Sequence, residues 1–404
     1  MKKSSPRKKE IGKNSRSERL VIVETYWEKI QKKLDSIREK NLYRQTKTYS
    51  GIDFCSNDYL SLTTNQNFIE AIQSLKTEFF LGSTASRLVR GNSESMEIFE
   101  AEFAEFVQAE AALLVSTGYV ANMGLIDSIA LPNSYVFTDR LNHASILDGI
   151  RISMANKKYY NHLDMDDLEK QLLKASSEDP NQKKLKVVVT ETIFSMDGDM
   201  VPLKQLLFLK EKYNFVLVLD EAHALGVYGK EGRGLVFRDL TSDEIDSIDY
   251  RVYTLGKSFG LEGGVICTKK IGRDHLVNVM RPFIFSTAPL PLISKLALKA
   301  LSLIRLMEDE RTHLEFLAKY LKDKLRLHHF QTTDSSSHIV PILMENEMEA
   351  LTFASELQNL GLDVRAIRPP TVPTARLRVS LNANRTKEDI DILVEALTKI
   401  RNSF

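Results

Sequence analysis

Cysteine is almost missing from this sequence. There are two, Cys55 and Cys267, and their spacing forms neither a metal-binding nor a redox motif. So few thiols fit a reducing cytoplasm. Long apolar runs are missing as well: no stretch of about 18 or more apolar residues offers a membrane span. The first twenty residues, MKKSSPRKKEIGKNSRSERL, hold no apolar segment that could act as a signal peptide. Neither sign of charge prevails, with 55 Lys and Arg against 54 Asp and Glu, which argues against a broad nucleic-acid-binding surface. Internal repeats and low-complexity segments are absent. What is present, 43% apolar and 27% charged residues, is the composition of an ordinary globular protein. At 404 residues the chain exceeds the size at which one core keeps growing, so two domains of unequal size are expected.

The one strong local bias is the basic start, with eight Lys or Arg and two Glu in twenty residues, read as a disordered, solvated tail over 1–20. Residues 21–50 read as an N-terminal helical arm, because Trp27, Ile30, Leu34 and Ile37 recur at helical spacing. Met96, Phe99, Phe103 and Phe106 repeat that spacing and form a core stripe. Short apolar runs follow: AALLVSTGY, SYVFTDRLNH, KVVVTETIFSMDGD, FVLVLDEAHALG, YRVYTLGKSFG and GGVICTKK. Helical segments lie between several of them, which predicts an α/β domain over 51–289 with a mostly parallel sheet covered on both faces. From 290 to 404 a long helical stretch, further strands and a last helix predict a smaller α+β domain.

Two fragments invite a nucleotide-hydrolase reading: GKS at Gly256–Ser258, and DEAH at Asp220–His223. A phosphate loop needs glycine five residues before the glycine of GKS, and that position is Arg251. The order is also reversed, since the phosphate loop should precede the acidic strand end. Both are coincidences of a few letters.

What the fragments share is their place. Each follows an apolar strand, so Asp220, His223 and Lys257 should meet at one sheet edge, where open α/β sheets bind ligands. A carboxylate, an imidazole and an amine suit a cofactor with a ring nitrogen, a phenolic oxygen and an aldehyde. Pyridoxal phosphate has all three. Its phosphate would need donors, and STGYVAN places the backbone N–H groups of Gly118 and Tyr119 at a helix N-terminus.

From about Trp27 to the C-terminus the chain resembles the α-oxoamine synthase family of fold-type I pyridoxal phosphate enzymes. The resemblance rests on nine motifs in order: FCSNDYLSL, GSTASRLVRGN, STGYVAN, DRLNHASILDGIR, ETIFSMDGDMVPL, VLDEAHALGVYG, TLGKSFG, IRPPTVP and LRVSLNA. It implies a seven-stranded-type sheet and decarboxylative condensation of an amino acid with an acyl thioester on CoA or an acyl carrier protein. L-Alanine and a pimeloyl group are expected, with glycine or serine and other acyl groups as the alternatives.

By that resemblance Lys257 matches the lysine that holds the cofactor aldehyde and removes the α-proton. Asp220 matches the partner of the ring nitrogen, and His143 the histidine stacked on the ring. Ser195 and His223 match contacts of the phenolic oxygen. Thr254 and the Gly118–Tyr119 backbone match phosphate contacts. Arg44 and Thr371 match substrate-binding positions, and Arg368 is a carboxylate partner. FIFSTAPLP resembles a segment that reaches the phosphate of a neighbouring subunit, which implies a homodimer.

Other readings stand beside these. His162 is expected to order a loop. Arg376 and Arg378 alternate on a strand, one a salt-bridge residue and the other a carboxylate ligand, in an order the sequence leaves open. Met96 stands where many members have histidine, and SFGLEGG varies the segment after the lysine. A non-catalytic partner subunit, the reading from another class, would be expected to lack Lys257.

Overall fold

A computed structural model of the chain describes residues 14–46, 48, 50–74, 82–181 and 183–403, and falls into two units, 1–49 and 50–404. Residues 1–13 of the expected tail lie outside the described residues. The helix Asn14–Glu39 begins inside the remainder of that stretch. Of its apolar stripe, Ile30, Leu34 and Ile37 are half-buried, whereas Trp27 is exposed. Arg38 near its end pairs with Asp35 at 2.9 Å and lies over the Tyr43 ring.

The second unit contains twelve strands among the described residues. They are β1 (Ile52–Asp53), β2 (Ala111–Val115), β3 (Tyr135–Asp139), β4 (Asn156–Tyr160), β5 (Lys186–Glu191) and β6 (Val216–Asp220). The rest are β7 (Tyr250–Thr254), β8 (Gly264–Thr268), β9 (Ile339–Leu343), β10 (Leu362–Asp363), β11 (Arg365–Ile367) and β12 (Arg376–Ser380). Seven of them form one sheet in the order β2-β8-β7-β6-β5-β3-β4. β8 runs antiparallel to both neighbours and every other pair is parallel, as the alternation of apolar runs with helices requires.

Both faces of this sheet are buried, which is why its central strands read as unbroken apolar runs. Val187, Val189 and Val218 pack on one face with Leu125 and Ile146, from the helices Gly118–Ile129 and Ala144–Ser153. Val188, Leu217 and Leu219 pack on the other with Leu168 and Leu206, from the helices Met165–Glu178 and Leu203–Tyr213. Because β5, β6 and β7 are parallel neighbours, their last residues Glu191, Asp220 and Thr254 emerge at one edge. Glu191 is the register partner of Asp220.

The stretch that reads as one long helix is two, Pro291–Ile304 and Glu308–Leu327. The first joins the core of the large sheet beside Phe99 and Phe103. The second packs with Lys387–Arg401 against the antiparallel sheet β11-β12-β9. The helix Pro291–Ile304 thus shares a core with the large sheet, and Glu308–Leu327 shares one with the smaller sheet. The C-terminal core also takes Phe54 and Tyr59 from far upstream, where β1 pairs in parallel with β10. Among the described residues, no helix is long and apolar enough to cross a membrane.

Candidate active site

Lys257 sits in the turn between β7 and β8. The turn is closed by Leu255 N–H bonding to Gly263 C=O and by Leu261 N–H bonding to Leu255 C=O. Gly260 and Gly263 take positive φ there, +62° and +141°, so SFGLEGG folds back on itself without strain. The half-buried Lys257 places its Nζ 2.7 Å from His223 Nε2. Loss of water around the amine, joined by the charge of Arg378, brings its pKa down to about 8, against the pull of Asp220 and Glu191.

Asp220 ends β6 and is buried. Its Oδ1 accepts the Ala222 N–H at 2.9 Å and its Oδ2 accepts from Asn122 Nδ2 at 2.6 Å. His223 follows in the same loop, and its Nδ1 lies 2.5 Å from the hydroxyl of Tyr59. Burial, then the charges of Lys257 and Arg378, hold this imidazole well below its ordinary value, so it is neutral.

The helix Gly118–Ile129 opens against the same edge. Thr117 caps it, its side chain taking the Val120 N–H at 3.1 Å and its C=O the Ala121 N–H. The N–H groups of Gly118 and Tyr119 are left outside the helix's own bonds. A side chain at Gly118 would come within 3.1 Å of Thr254 Cβ and Oγ1, so the two expected phosphate positions meet. The Tyr119 side chain turns away and donates to Asp148.

His143 is exposed and caps the helix Ala144–Ser153. Its N–H donates to Glu191 Oε1 at 2.7 Å, and its Nδ1 lies 2.8 Å from Ser145 Oγ. Its pKa is lowered, chiefly by partial burial, with Lys257 adding to the effect and Asp220 opposing it. Ser195 is half-buried in the loop after β5, and its C=O accepts from Arg378 Nε at 2.7 Å. Arg376 pairs with Asp197 at 2.5 Å, while Arg378 reaches Asn57 Oδ1 at 3.1 Å. The choice left open between the two arginines is thereby made: Arg376 is the salt-bridge residue.

Arg368 and Thr371 lie in the turn joining β11 and β12, bonded to each other through the backbone. Arg44 is exposed and belongs to the N-terminal unit, in the coil after its helix. His162 orders a loop, as expected: it spans Asp139 at 2.9 Å and Asp199 at 2.8 Å. Met96 is fully buried in the core of the large sheet, a packing residue.

Five contributors had no assigned role in the sequence reading: Asn57, Tyr59, Asn122, Glu191 and His338. The first four lie inside motifs already noted, FCSNDYLSL, STGYVAN and ETIFSMDGD, so the signal was there without a contact to interpret it. Glu191 is buried, and burial followed by the nearby Asp220 carboxylate pushes its pKa up. One further group, Asp53, Cys55 and Asp363, meets at the β1–β10 pair. It is accounted for by its own bonds: Asp53 takes two backbone N–H groups and Asp363 pairs with Arg365 at 2.7 Å.

The family model "Aminotransferase class I and II" matches residues 49–397. A Bacillus cereus protein, provisionally named 8-amino-7-oxononanoate synthase, is 39% identical over 86% of this chain and 87% of its own length. Among solved structures, Sphingomonas wittichii serine palmitoyltransferase superposes with a TM-score of 0.82 at 28% identity, over 87% of this chain and 88% of that one. The 8-amino-7-oxononanoate synthase of Francisella tularensis gives 0.71 at 27% identity, over 88% and 98%.

Proposed function

The chain belongs to the pyridoxal-phosphate-dependent α-oxoamine synthases of the class I and II aminotransferase family, and within it we propose that the enzyme joins L-alanine to a pimeloyl thioester. The products are 8-amino-7-oxononanoate, carbon dioxide and free thiol, and the carrier is CoA or an acyl carrier protein. Such a product serves biotin biosynthesis, in the cytoplasm. The observation that carries the reading is the 39% identity to a relative of that provisional name across most of both chains.

The residues fit the cofactor. Where Gly118 meets Thr254, a side chain on the glycine would crowd the backbone N–H groups at the start of the helix, a cradle suited to phosphate. Asp220, fixed by Asn122 and the Ala222 N–H, is a ready partner for a protonated ring nitrogen. His143 offers an exposed ring, the candidate to stack on the cofactor, and Ser195 and His223 are the candidates to contact its phenolic oxygen. When bound, pyridoxal phosphate supplies an aldehyde for the amino group and a ring that draws electrons from the α-carbon.

The chain's own groups do the rest. Lys257, its amine made less basic by burial, can hold and release a proton near neutral pH, and His223 Nε2 stands 2.7 Å away to share it. Arg378, with no carboxylate bonded to it among the described residues, is the guanidinium suited to the amino-acid carboxylate. Arg368 remains a candidate partner for a carboxylate, and Thr371 a candidate for substrate binding.

A second reading, serine with palmitoyl thioester, is favoured by the higher superposition on serine palmitoyltransferase. Thiol release separates the two. Alanine, glycine and serine are each offered with pimeloyl, acetyl and palmitoyl thioesters. Release with alanine and pimeloyl supports the proposal; release only with serine and palmitoyl replaces it.

A further inference from the structure

His223 can carry its single proton on either ring nitrogen, and its neighbours decide which. Arg378 is a donor only, so the Asn57 atom 3.1 Å from its Nη2 is the amide oxygen. That oxygen also lies 3.0 Å from the Tyr59 hydroxyl, which has one proton to give. The same hydroxyl is 2.5 Å from His223 Nδ1, and His223 Nε2 is 2.7 Å from Lys257 Nζ. One assignment satisfies every pair. Tyr59 O–H donates to Asn57, His223 Nδ1–H donates to the Tyr59 oxygen, and Nε2 accepts from Lys257.

The other assignment sends the Tyr59 proton to Nδ1 and aims an Nε2–H at Lys257. Against an ammonium that is donor on donor. Against a neutral amine it ties up the lone pair that must react, and it leaves Asn57 Oδ1 with Arg378 alone.

We propose that in the cofactor-free chain Tyr59 is a positioning residue that fixes His223 as its Nδ1–H tautomer, so that a bare Nε2 faces the lysine and the lysine's lone pair stays available to the cofactor aldehyde. Tyr59 is built to hold still. It is fully buried, packed into the C-terminal core, and its ring meets that of His338 edge-on at 4.0 Å. His338 is itself buried, with Nδ1 3.3 Å from the Tyr228 hydroxyl. Burial, with Arg378 and Lys257 nearby, brings the His338 pKa down to about 3, so it adds no charge behind Tyr59.

The inference rests on the reading of Lys257 as the reacting amine, and it is testable without substrate. Cofactor-free protein with 15N-labelled histidine is examined by NMR one pH unit above the Lys257 value of about 8. There the amine is neutral and both tautomers can bond it, so Tyr59 decides. The His223 signals are identified, among those of eight histidines, by their loss in His223→Gln. Wild type should show a pyrrole-type Nδ1 and a pyridine-type Nε2. Tyr59→Phe, which keeps the ring in the core, should exchange the two. Asn57→Ala should exchange them as well, because the Tyr59 proton then turns to Nδ1, and it does not rely on the folding of the first variant. A wild-type Nε2–H, or both variants with the wild-type pattern, overturns the proposal. A substrate screen that releases no thiol would fail the functional reading while leaving these spectra unchanged.

Discussion

Arg376 and Arg378 stand two residues apart on β12, so both point to the same face of its sheet, yet only one is spent. Arg376 is held by Asp197 and by the Met196 carbonyl at 3.0 Å, while Arg378 touches a carbonyl and an amide and keeps its charge available. Arg378→Ala should therefore raise the KM for the amino acid on the order of 10²-fold with a smaller change in kcat, read from steady-state thiol release. Lys257 makes a second prediction. Its pKa is depressed from 10.5 to about 8, so its neutral form prevails earlier than in an ordinary lysine. Amine-directed labelling of cofactor-free protein, quantified by mass spectrometry, should climb about tenfold per pH unit up to about 8 and then level off. A rate still climbing to 10.5 would show an unperturbed amine. The alternation ARLRVS made both arginines visible in the sequence, but the partner that separates them lies 179 positions away from Arg376. Periodicity carries no information about such a partner.

At the scale of the element, the loop after β5 is set by a clamp. His162 bridges the buried Asp139 at the end of β3 and Asp199 beyond that loop, and the loop carries Ser195 and Asp197 to the two arginines. Burial works against the imidazolium, but the two carboxylates outweigh it and push its pKa up to about 10. A raised folded-state value means stabilisation that is complete below the unfolded value of 6.5 and lost as pH rises through about 10. His162→Ala should thus cost about 2 kcal/mol at low pH, and the gap to wild type should close as pH is raised, measured by denaturant midpoints. The buried strands were legible because unbroken Val, Ile and Leu leave few other readings. β4 was not: Asn156, Lys157 and Lys158 make an edge strand whose lysines keep it from pairing further, and they hide it from an apolar count. The break between Ile304 and Glu308 was missed for the opposite reason, since Arg305, Leu306 and Met307 have ordinary helix propensity and give no stop signal.

For the molecule as a whole, the segment around Phe283–Pro291 and the turn Arg87–Gly91 lie together, joined by the Ala288 N–H to the Ala85 carbonyl. They expose Leu88, Val89 and Phe285. With the implied reach of FIFSTAPLP toward a neighbouring phosphate, a homodimer is expected, and light scattering should give twice the 46.0 kDa chain mass. A particle of single mass would remove that expectation. Parallel-sheet topology and the edge that collects Asp220, His223 and Lys257 followed from strand order in the sequence. The participation of Tyr59 did not, because it depends on which core a residue joins. Tyr59 is rooted in the C-terminal core, and Arg378 in the sheet that this core packs against, whereas Asp220 ends a strand of the seven-stranded sheet and Lys257 sits in a turn between two of its strands. The groups of the candidate site are thus tools gripped by two hands. Warming that loosens one grip parts the tools while each hand still holds its shape, so the enzyme should fall silent some degrees before it melts.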